Sequence, residues 1–327
     1  MTPVFVLGAS RSGTSLLSSI LLSSGSFAIY EAEPLILSVC QQKYGSLKKE
    51  ANRIALTNDF IDSRQFRRSG LTQAELQQIV QSCSSGDYYL LLEKFMSSIA
   101  QKQNASYWSD STPANIFYAQ KLLKHFPNAK FIHVVRDGRD VALSKKKLGW
   151  TGMPSFLSNT VIGLMSAAAQ WELSAKLGRK LVRDNPSNCM QVRYEDLVSD
   201  TSAVLQNIQH FLAIDLSTSL DEGAKYGSLR SANSSFGAMN AGAISSAGVG
   251  RWKELLSEKD KIMFKVCFSS ALKQFGYFNE ERALPFFQRL VFIPCFVVRG
   301  VVRFKIWLRH KSFFGRLSRD GLEIGLD

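Results

Sequence analysis

The sequence predicts an α/β fold in which a central parallel sheet carries helices on both faces. Residues 4–7 form a short apolar, β-prone run, followed by a glycine-bearing turn and a helical pattern over 14–22. The same order returns at 130–136 (KFIHVVR), and 189–194 (CMQVRY) is a third candidate strand. Strands that alternate with helices favour a parallel sheet, because each helical crossover packs on a face of the sheet.

The composition fits a single globular unit. A chain of 327 residues with 45% hydrophobic and 20% charged residues can bury a full core without a second domain. The five cysteines are odd in number and scattered, with no C-x-x-C pair, so neither a disulfide framework nor a zinc site is predicted. The N-terminal MTPVFVLGAS lacks the basic and long apolar regions of a secretory signal, so we expect a cytoplasmic protein.

The net charge of +13 suggests an anionic partner. That partner could be a phosphorylated cofactor, an acidic acceptor or a membrane surface. Nucleic acid is the weakest candidate, because no helix-turn-helix spacing, zinc-finger spacing or aromatic-basic signature accompanies the charge. We therefore predict no nucleic-acid partner.

The first turn resembles a phosphate loop. Residues 8–15, GASRSGTS, fit the pattern G-x-x-x-x-G-K-[ST] except that Thr14 stands in place of the lysine. A turn of this kind presents backbone N–H groups and a helix N-terminus to a phosphate. The missing lysine argues against ATP or GTP, and Arg11 offers a different cation. Taken alone, such a turn is equally compatible with a connection between strand and helix that binds no ligand.

A helical insertion follows the first unit. Residues 37–105 lack strong strand signals and are rich in Gln, Ser and Lys, so we expect helices that cover the ligand edge of the sheet. Helical patterns continue at 114–125 and at 161–184.

The second strand also ends in a candidate anion site. In VVRDGRDVALS, Arg136 stands at the strand end and Ser144 follows within the next helix. Arg136 can make forked contacts with a phosphate and Ser144 can add a hydroxyl donor, whereas Arg139 and Asp140 are expected to fix the turn. A surface salt-bridge cluster is the alternative. Two such sites on one sheet edge imply a ligand with two separate phosphates.

The chain changes character near its C-terminus. Residues 228–250 are dense in Ser, Ala, Gly and Asn and are typical of a mobile loop. After a main domain over 1–282, the extension 283–327 begins with a segment, 283–319, that holds eight Lys or Arg and no acidic residue. This segment either packs on the core or lies on an anionic membrane surface.

No transmembrane helix is predicted in that segment. Arg289, Arg299 and Arg303 interrupt its apolar runs, so none reaches the roughly 20 residues that span a bilayer. An interfacial helix remains, and Pro294 is expected to kink or split it.

The ordered motifs resemble the PAPS-dependent sulfotransferases, especially the branch that contains tyrosylprotein sulfotransferases and many bacterial enzymes. The likeness spans about residues 3–280: VFVLGASRSGTSLL is similar to the 5′-phosphosulfate loop, and FPNAKFIHVVRDGRDVALS to the 3′-phosphate element. WSDSTP, VRYEDL and GVGRWKELL are similar to further segments of that branch. The likeness implies a P-loop-like, three-layer fold whose helical insertion covers the acceptor site.

The resemblance also implies a reaction. A sulfuryl group passes from PAPS to a hydroxyl of an acceptor, which could be a glycan, lipid, peptide or small metabolite, and PAP is left; no metal is expected. The residues implied to bind the donor are Arg11, Ser12, Gly13, Thr14 and Ser15 at the 5′-phosphosulfate, Arg136 and Ser144 at the 3′-phosphate, Tyr194 near the adenine or ribose, and Arg251, Trp252 and Lys253 in a segment that closes over it.

The catalytic base is expected in FAIYEAEPL, just beyond the first helix. In the resembling branch a glutamate of this neighbourhood removes the acceptor proton. We favour Glu33, because Glu33-Pro34 is similar to the family's acidic step into its next helix, and Glu31 is the alternative. On an extended strand the two side chains would point in opposite directions, so only one would enter the site. Both could instead be solvated loop acids.

One departure weakens the analogy. Where many relatives have a lysine before Thr-Pro, this chain has Ser111. Either Arg11 and a basic residue of 251–253 replace that cation, or the protein is an impaired, donor-binding member of the family. A P-loop kinase or nucleotide hydrolase is a further alternative, but it would need a compensating lysine and an acidic Mg²⁺-binding strand end, and we can place neither in the sequence.

Overall fold

The protein contains a four-stranded parallel sheet with the strand order β2-β1-β3-β4. The computed structural model describes residues 1–216, 244–278 and 293–310. The strands are β1 (Thr2–Gly8), β2 (Tyr107–Asp110), β3 (Lys130–Val135) and β4 (Cys189–Arg193). The predicted α/β fold, a central parallel sheet between layers of helices, is confirmed.

The strand order reverses at β1, which lies between β2 and β3. In an open α/β sheet, ligands bind in the crevice outside the carboxyl ends of the strands at such a switch point. Gly8 at the end of β1 pairs with Val134 of β3. A Cβ at Gly8 would lie 2.5 Å from the Val134 carbonyl oxygen, so the close approach of the two strand ends requires glycine.

Helices cover both faces of the sheet. In the first half of the chain they are α1 (Thr14–Leu22), a π-helical turn (Ile36–Cys40), α2 (Gln41–Tyr44), α3 (Glu50–Ile61), α4 (Arg64–Arg67), α5 (Gln73–Gln81), α6 (Tyr88–Lys102), a 3₁₀ turn (Pro113–Phe117), α7 (Ala119–His125) and α8 (Gly138–Lys147). After them come α9 (Ser155–Ser158), α10 (Val161–Asp184), α11 (Tyr194–Ser199), α12 (Thr201–Leu212), a 3₁₀ turn (Ser246–Gly248), α13 (Trp252–Leu255), α14 (Glu258–Cys267), α15 (Ser269–Gln274) and α16 (Ile293–His310).

Side-chain alternation along β1 divides the core. Phe5 and Leu7 point to one face and pack with the helical insertion, α2 to α6, and with α7. Val4 and Val6 point to the other face and pack with α1, α11 and α12. The insertion expected over 37–105 is therefore present as helices, and it lies on one face of the sheet.

The long helix α10 connects the sheet to the C-terminal part of the chain. It begins at Val161, where the Thr160 side chain accepts from two backbone N–H groups, and it packs against β4, α8 and α16. Its Trp171 indole donates to the carbonyl of Arg136 at 2.9 Å. A Cβ at Gly138 would lie 2.4 Å from the Trp171 ring, so glycine is required at the start of α8.

The structure differs from the sequence predictions at four places. The sequence did not predict β2, which is only four residues long and contains two polar residues. The DGRD stretch is not a separate turn, because Asp137 caps α8 and the helix begins at Gly138. The helical pattern over 114–125 is divided at Tyr118 between a 3₁₀ turn and α7. The third strand also stops one residue early, because Tyr194 already begins α11.

The structure describes only part of the C-terminal segments for which predictions were made. Of the loop expected over 228–250, residues 228–243 lie outside the described part of the chain, as do 283–292 and 311–319 of the C-terminal segment. Helix α16 is continuous, and Pro294 stands in its first turn, where a missing N–H breaks no helical bond. Because residues 283–292 lie outside the described part of the chain, the kink or split expected at Pro294 stays a prediction, as does the domain boundary at 282.

In the described residues, no helix combines the length and the apolar character that crossing a bilayer would require.

Candidate active site

The loop after β1 has the geometry of an anion cradle. Arg11 and Gly13 adopt left-handed backbone conformations, with φ of 75° and 99°. Gly13 is the N-cap of α1 and supplies no side-chain hydrogen bond to the first turn of that helix. A Cβ at Gly13 would lie 2.4 Å from Cδ2 of Tyr194, so only glycine fits between loop and ring. The helix N-terminus thus faces the carboxyl edge of the sheet with its positive dipole end.

Arg136 at the end of β3 spans this edge. Its Nη1 donates to the carbonyl of Arg11 at 3.2 Å and its Nη2 to the carbonyl of Gly248 at 2.5 Å. Its guanidinium carbon lies 4.2 Å from the centre of the Tyr194 ring. The three segments that carry Arg11, Arg136 and Gly248 therefore meet at one point.

Ser144 joins the same cluster from α8. Its hydroxyl accepts from Nε of Arg11 at 3.1 Å. Burial and, to a smaller extent, the nearby Arg136 lower the pKa of Arg11. Two cations held together in a partly buried site are suited to a multiply charged anion.

The first turn of α8 holds the 250–252 segment against the site. Both oxygens of Asp140 accept from backbone N–H groups, those of Gly250 at 2.8 Å and Trp252 at 2.9 Å. Arg139 pairs with Asp137 at 2.7 Å, and its guanidinium carbon lies 3.5 Å from the centre of the Trp252 ring. Arg139 and Asp140 therefore have a structural role, but they hold the 250–252 segment from the first turn of α8 rather than fixing a separate turn.

The three residues predicted to close over the donor, at positions 251–253, have different surroundings. Trp252 covers Arg139, the Nε of Arg251 donates to the carbonyl of Ala247 at 2.6 Å, and Lys253 is exposed. The structure brings Arg11, Ser144, Arg136 and Tyr194 into contact. Trp252 instead stacks on Arg139.

The two candidate bases lie on irregular chain rather than on a strand. Phe27 forms a single bridge with Tyr107 of β2, and the chain then leaves the sheet, so the expected extended-strand geometry is wrong. Arg68 of the insertion donates to the backbone carbonyl of Glu31 at 2.7 Å, and one of its nitrogens lies 4.0 Å from the Glu31 carboxylate.

Glu33 lies in a different environment from Glu31. Burial, together with the neighbouring Asp110 and Glu33, raises the pKa of Tyr30. The hydroxyl of Tyr30 donates to the carbonyl of Gln65 in the insertion at 3.2 Å. Glu33 therefore lies within electrostatic range of Tyr30, as does Asp110 at the end of β2.

Asp110 and Ser111 end β2 at this position. Asp110 is buried and accepts from the N–H of Thr112 at 2.8 Å and from the amide of Asn115 at 2.7 Å. Ser111 is also buried. The WSDSTP stretch thus forms a rigid polar corner, with a serine at the position where the resemblance led us to expect a lysine.

Sequence reasoning missed two residues at the edge of the site. The Trp150 ring centre lies 5.8 Å from the Arg11 guanidinium, and no pattern marked this tryptophan. Glu195 accepts from the N–H of Asp137 at 2.9 Å and from the Tyr277 hydroxyl at 2.8 Å, and burial raises its pKa. Its place two residues after the end of β4 could have identified it.

A sequence model described as the sulfotransferase family matches residues 3–218, about two thirds of the chain. The chain belongs to the sulfotransferase family. The resemblance seen in the ordered motifs is therefore confirmed at the level of the family.

Solved structures show the same fold as this sulfotransferase. The sulfotransferase domain from the curacin biosynthetic pathway is 16% identical, with a TM-score of 0.55 over 85% of this chain and 99% of that one. The sulfotransferase domain of the Synechococcus PCC 7002 olefin synthase is 22% identical, with a TM-score of 0.55 over 85% of this chain and 96% of that one. No curated protein matches the sequence. At these identities the likeness shows the fold alone.

Within residues 1–216, 244–278 and 293–310, no group of three or more His, Cys, Asp or Glu side chains is arranged to hold a metal ion. The expectation that the reaction needs no metal stays a prediction.

Proposed function

We propose that this sulfotransferase takes its sulfuryl group from PAPS and transfers it to a hydroxyl of an acceptor, leaving PAP. The observation that carries the proposal is the meeting of Arg11, Arg136 and Ser144 at the carboxyl ends of β1 and β3. A donor with separate 5′ and 3′ phosphates needs a backbone cradle and a second group of cationic and hydroxyl donors beside it. The glycine-bearing loop and the adjoining Arg136 and Ser144 support such a pair.

Polar atoms at this edge support a ligand with several acceptor oxygens. The buried hydroxyl of Ser12 and the buried Nε of Arg136 have no hydrogen-bond partner within the protein. Buried polar groups without a partner are costly, and a bound anion would satisfy them. The residues present therefore fit a phosphorylated donor.

The residues divide between the two phosphates. Ser12, Gly13, Thr14 and Ser15 would hold the 5′-phosphosulfate through backbone N–H groups and hydroxyls, and Arg136 and Ser144 would hold the 3′-phosphate. Arg11 contacts Ser144 and so stands between the two groups. Tyr194, packed on Gly13 and Arg136, would border the nucleoside.

The donor supplies a sulfuryl group on a phosphate leaving group. The protein's part is to position the acceptor oxygen and to stabilise the charge that develops on the leaving side. Arg11, the Thr14 hydroxyl and the N–H groups at the start of α1 are placed for the second task. Because these dipoles are fixed by the fold, little reorganisation is needed during the reaction.

Glu33 is the proposed base, because Glu33-Pro34 is similar to the family's acidic step into its next helix, and Glu31 is the alternative. Both lie in the segment after α1, which contacts the helical insertion through Tyr30 and Glu31. In this proposal the insertion shapes the acceptor pocket. A carboxylate here would accept the proton of the attacking hydroxyl.

Calorimetry tests the donor assignment. PAP should bind at least tenfold more tightly than 5′-AMP, because the second phosphate adds charge-assisted hydrogen bonds. Equal affinities would contradict the assignment. Incubation with labelled PAPS and pools of glycans, lipids, peptides and small metabolites then separates an active enzyme from a donor-binding protein without turnover, which is the open alternative raised by Ser111.

A further inference from the structure

Helix α16 turns a charged residue inward. Arg299 pairs with the buried Glu172 of α10, with Nε 2.6 Å from the carboxylate, and donates to the carbonyl of Cys267 at 3.1 Å. Lys176 also pairs with Glu172 at 2.7 Å. Removing one partner of a buried ion pair is strongly destabilising, so the Arg299 contact fixes which side of α16 faces the core.

Apolar contacts support the same orientation. Cys295 and Val302 are buried in one cluster with residues of α10 and α14, and Val298 and Ile306 pack against that cluster. Positions 295, 299, 302 and 306 recur at helical spacing and share one face. The inner face of α16 is therefore fully occupied.

The outer face is apolar and exposed. It consists of Ile293, Phe296, Val297, Val301 and Phe304, which are between 46% and 60% exposed. At about 3.6 residues per turn these five lie on the side of the helix away from positions 295, 299, 302 and 306, and we call them the apolar ridge. A helix on the surface of a soluble protein ordinarily shows polar residues there, so a ridge of large exposed apolar residues marks an interaction surface.

Cations border the ridge on both sides. Arg303 and Lys305 are exposed, and on a helical projection they fall on opposite margins of the ridge. The surrounding segment, 283–319, contains eight Lys or Arg and no Asp or Glu, in a chain of net charge +13. Apolar residues flanked by cations are typical of a helix that lies at the boundary between headgroups and acyl chains.

We propose that the apolar ridge of α16 docks on an anionic lipid bilayer surface. Phe and Val side chains of the ridge would enter the acyl boundary, and Arg303 and Lys305 would contact anionic headgroups. A bilayer with anionic headgroups fits both features of this face. Its negative surface attracts Arg303 and Lys305, and its acyl chains take up the apolar side chains of the ridge.

The docking face is connected to the donor site by one loop. Nζ of Lys305 donates to the carbonyl of Gly152 at 3.4 Å. Two residues earlier in that loop is Trp150, which contacts Arg11 and is 53% exposed. Docking would hold the donor site close to the lipid surface. That the acceptor hydroxyl is presented at this surface is a consequence that rests on the proposed function.

Vesicle flotation of the full chain tests the docking. We expect binding to phosphatidylcholine vesicles that contain phosphatidylserine and at least tenfold weaker partition into pure phosphatidylcholine. The double substitution Val297→Ser, Phe304→Ser should lower the partition at least tenfold, because two apolar side chains no longer enter the bilayer. Ile54→Ser on α3, where Ile54 is 48% exposed, is the matched control and should leave partition unchanged.

Charge reversal separates local docking from net attraction. Arg303→Glu with Lys305→Glu should lower the partition at least tenfold, whereas Lys121→Glu with Lys124→Glu, an equal charge change on α7, should have a much smaller effect. An equal fall in vesicle partition for the two pairs of substitutions would overturn the proposal. It would also be overturned if the wild-type protein did not bind phosphatidylserine-containing vesicles at low salt.

A second copy of the chain is the competing occupant. If Val297→Ser, Phe304→Ser converts a dimer into a monomer while vesicle binding is unchanged, the ridge is a subunit interface and the proposal is wrong. Thermal melting and PAP calorimetry on every variant show whether the protein is folded and whether the donor site is intact. Loss of vesicle binding with PAP binding retained is the expected result, and it distinguishes the docking from the donor assignment.

Discussion

The proposed donor edge, where Arg11, Arg136 and Ser144 meet, and the segment 27–35 lie at the same sheet but are built differently. At the donor edge, Arg136 ties together the loop after β1 and the 248 turn through two carbonyls. Segment 27–35 adds one bridge to β2 and then depends on the insertion, through Arg68 and Gln65. The groups proposed to bind the donor are thus fixed at the sheet, whereas the segment that carries both candidate bases contacts a separate helical layer.

This difference has a functional meaning. Substitutions at the donor edge should change affinity for PAP, whereas substitutions at the base should change turnover alone. Each of the three predictions below tests this separation, and they are ordered by expected effect.

The largest effect is expected at Glu33. Glu33→Gln should lower turnover by roughly 10²-fold or more, because the neutral amide cannot accept the acceptor proton. PAP affinity measured by calorimetry should stay within about twofold of wild type, since the base does not hold the donor.

Glu31→Gln is the matched control and should retain most of the activity. An inactive Glu31→Gln with a fully active Glu33→Gln would assign the base to Glu31. If both variants remain active, neither carboxylate is the base. Segment 27–35 then does not have the catalytic role that the comparison of the two regions assigns to it.

The next effect is expected at Arg136. Arg136→Ala should weaken PAP binding by about 1.5–3 kcal/mol, or roughly ten- to a hundredfold, because a charge-assisted hydrogen bond is lost. Binding of 5′-AMP should change much less, since it lacks the 3′-phosphate. Calorimetry with both ligands measures the difference.

Arg136 also holds the Arg11 and Gly248 carbonyls, so a structural explanation must be tested. Arg136→Lys keeps the charge but not the fork, and it should recover only part of the PAP affinity. Equal weakening of PAP and 5′-AMP in Arg136→Ala, with a lowered melting temperature, would show that the residue holds the fold rather than the 3′-phosphate.

The smallest effect is expected at Ser144. Ser144→Ala removes one hydroxyl at the Arg136 cluster and should weaken PAP binding about three- to tenfold, as for one hydrogen bond. Ser38→Ala, a buried serine of the π-helical turn outside the donor edge, should leave PAP binding unchanged. Similar losses in both variants would indicate a general packing effect.

Much of the fold could be predicted from local patterns. The apolar run at β1, the helix α1 and the long helix α10 follow from periodicity and caps in consecutive residues. β2 was missed because four residues with two polar side chains carry no strand signal. It is a strand because β1 offers it a free edge, which is a property of the assembled sheet.

The sequence by itself determined the family, the glycine-bearing loop after β1 and the places of Arg136 and Ser144 after β3, because each depends on residues that are close in the chain. Tertiary structure alone decided that Arg11 bonds Ser144 across 133 positions, that Arg68 engages Glu31, and that Arg299 turns inward to Glu172. That last contact leaves the apolar ridge outside. The physical reason is that pairing partners and buried faces are set by the packing of distant segments, which local periodicity does not encode.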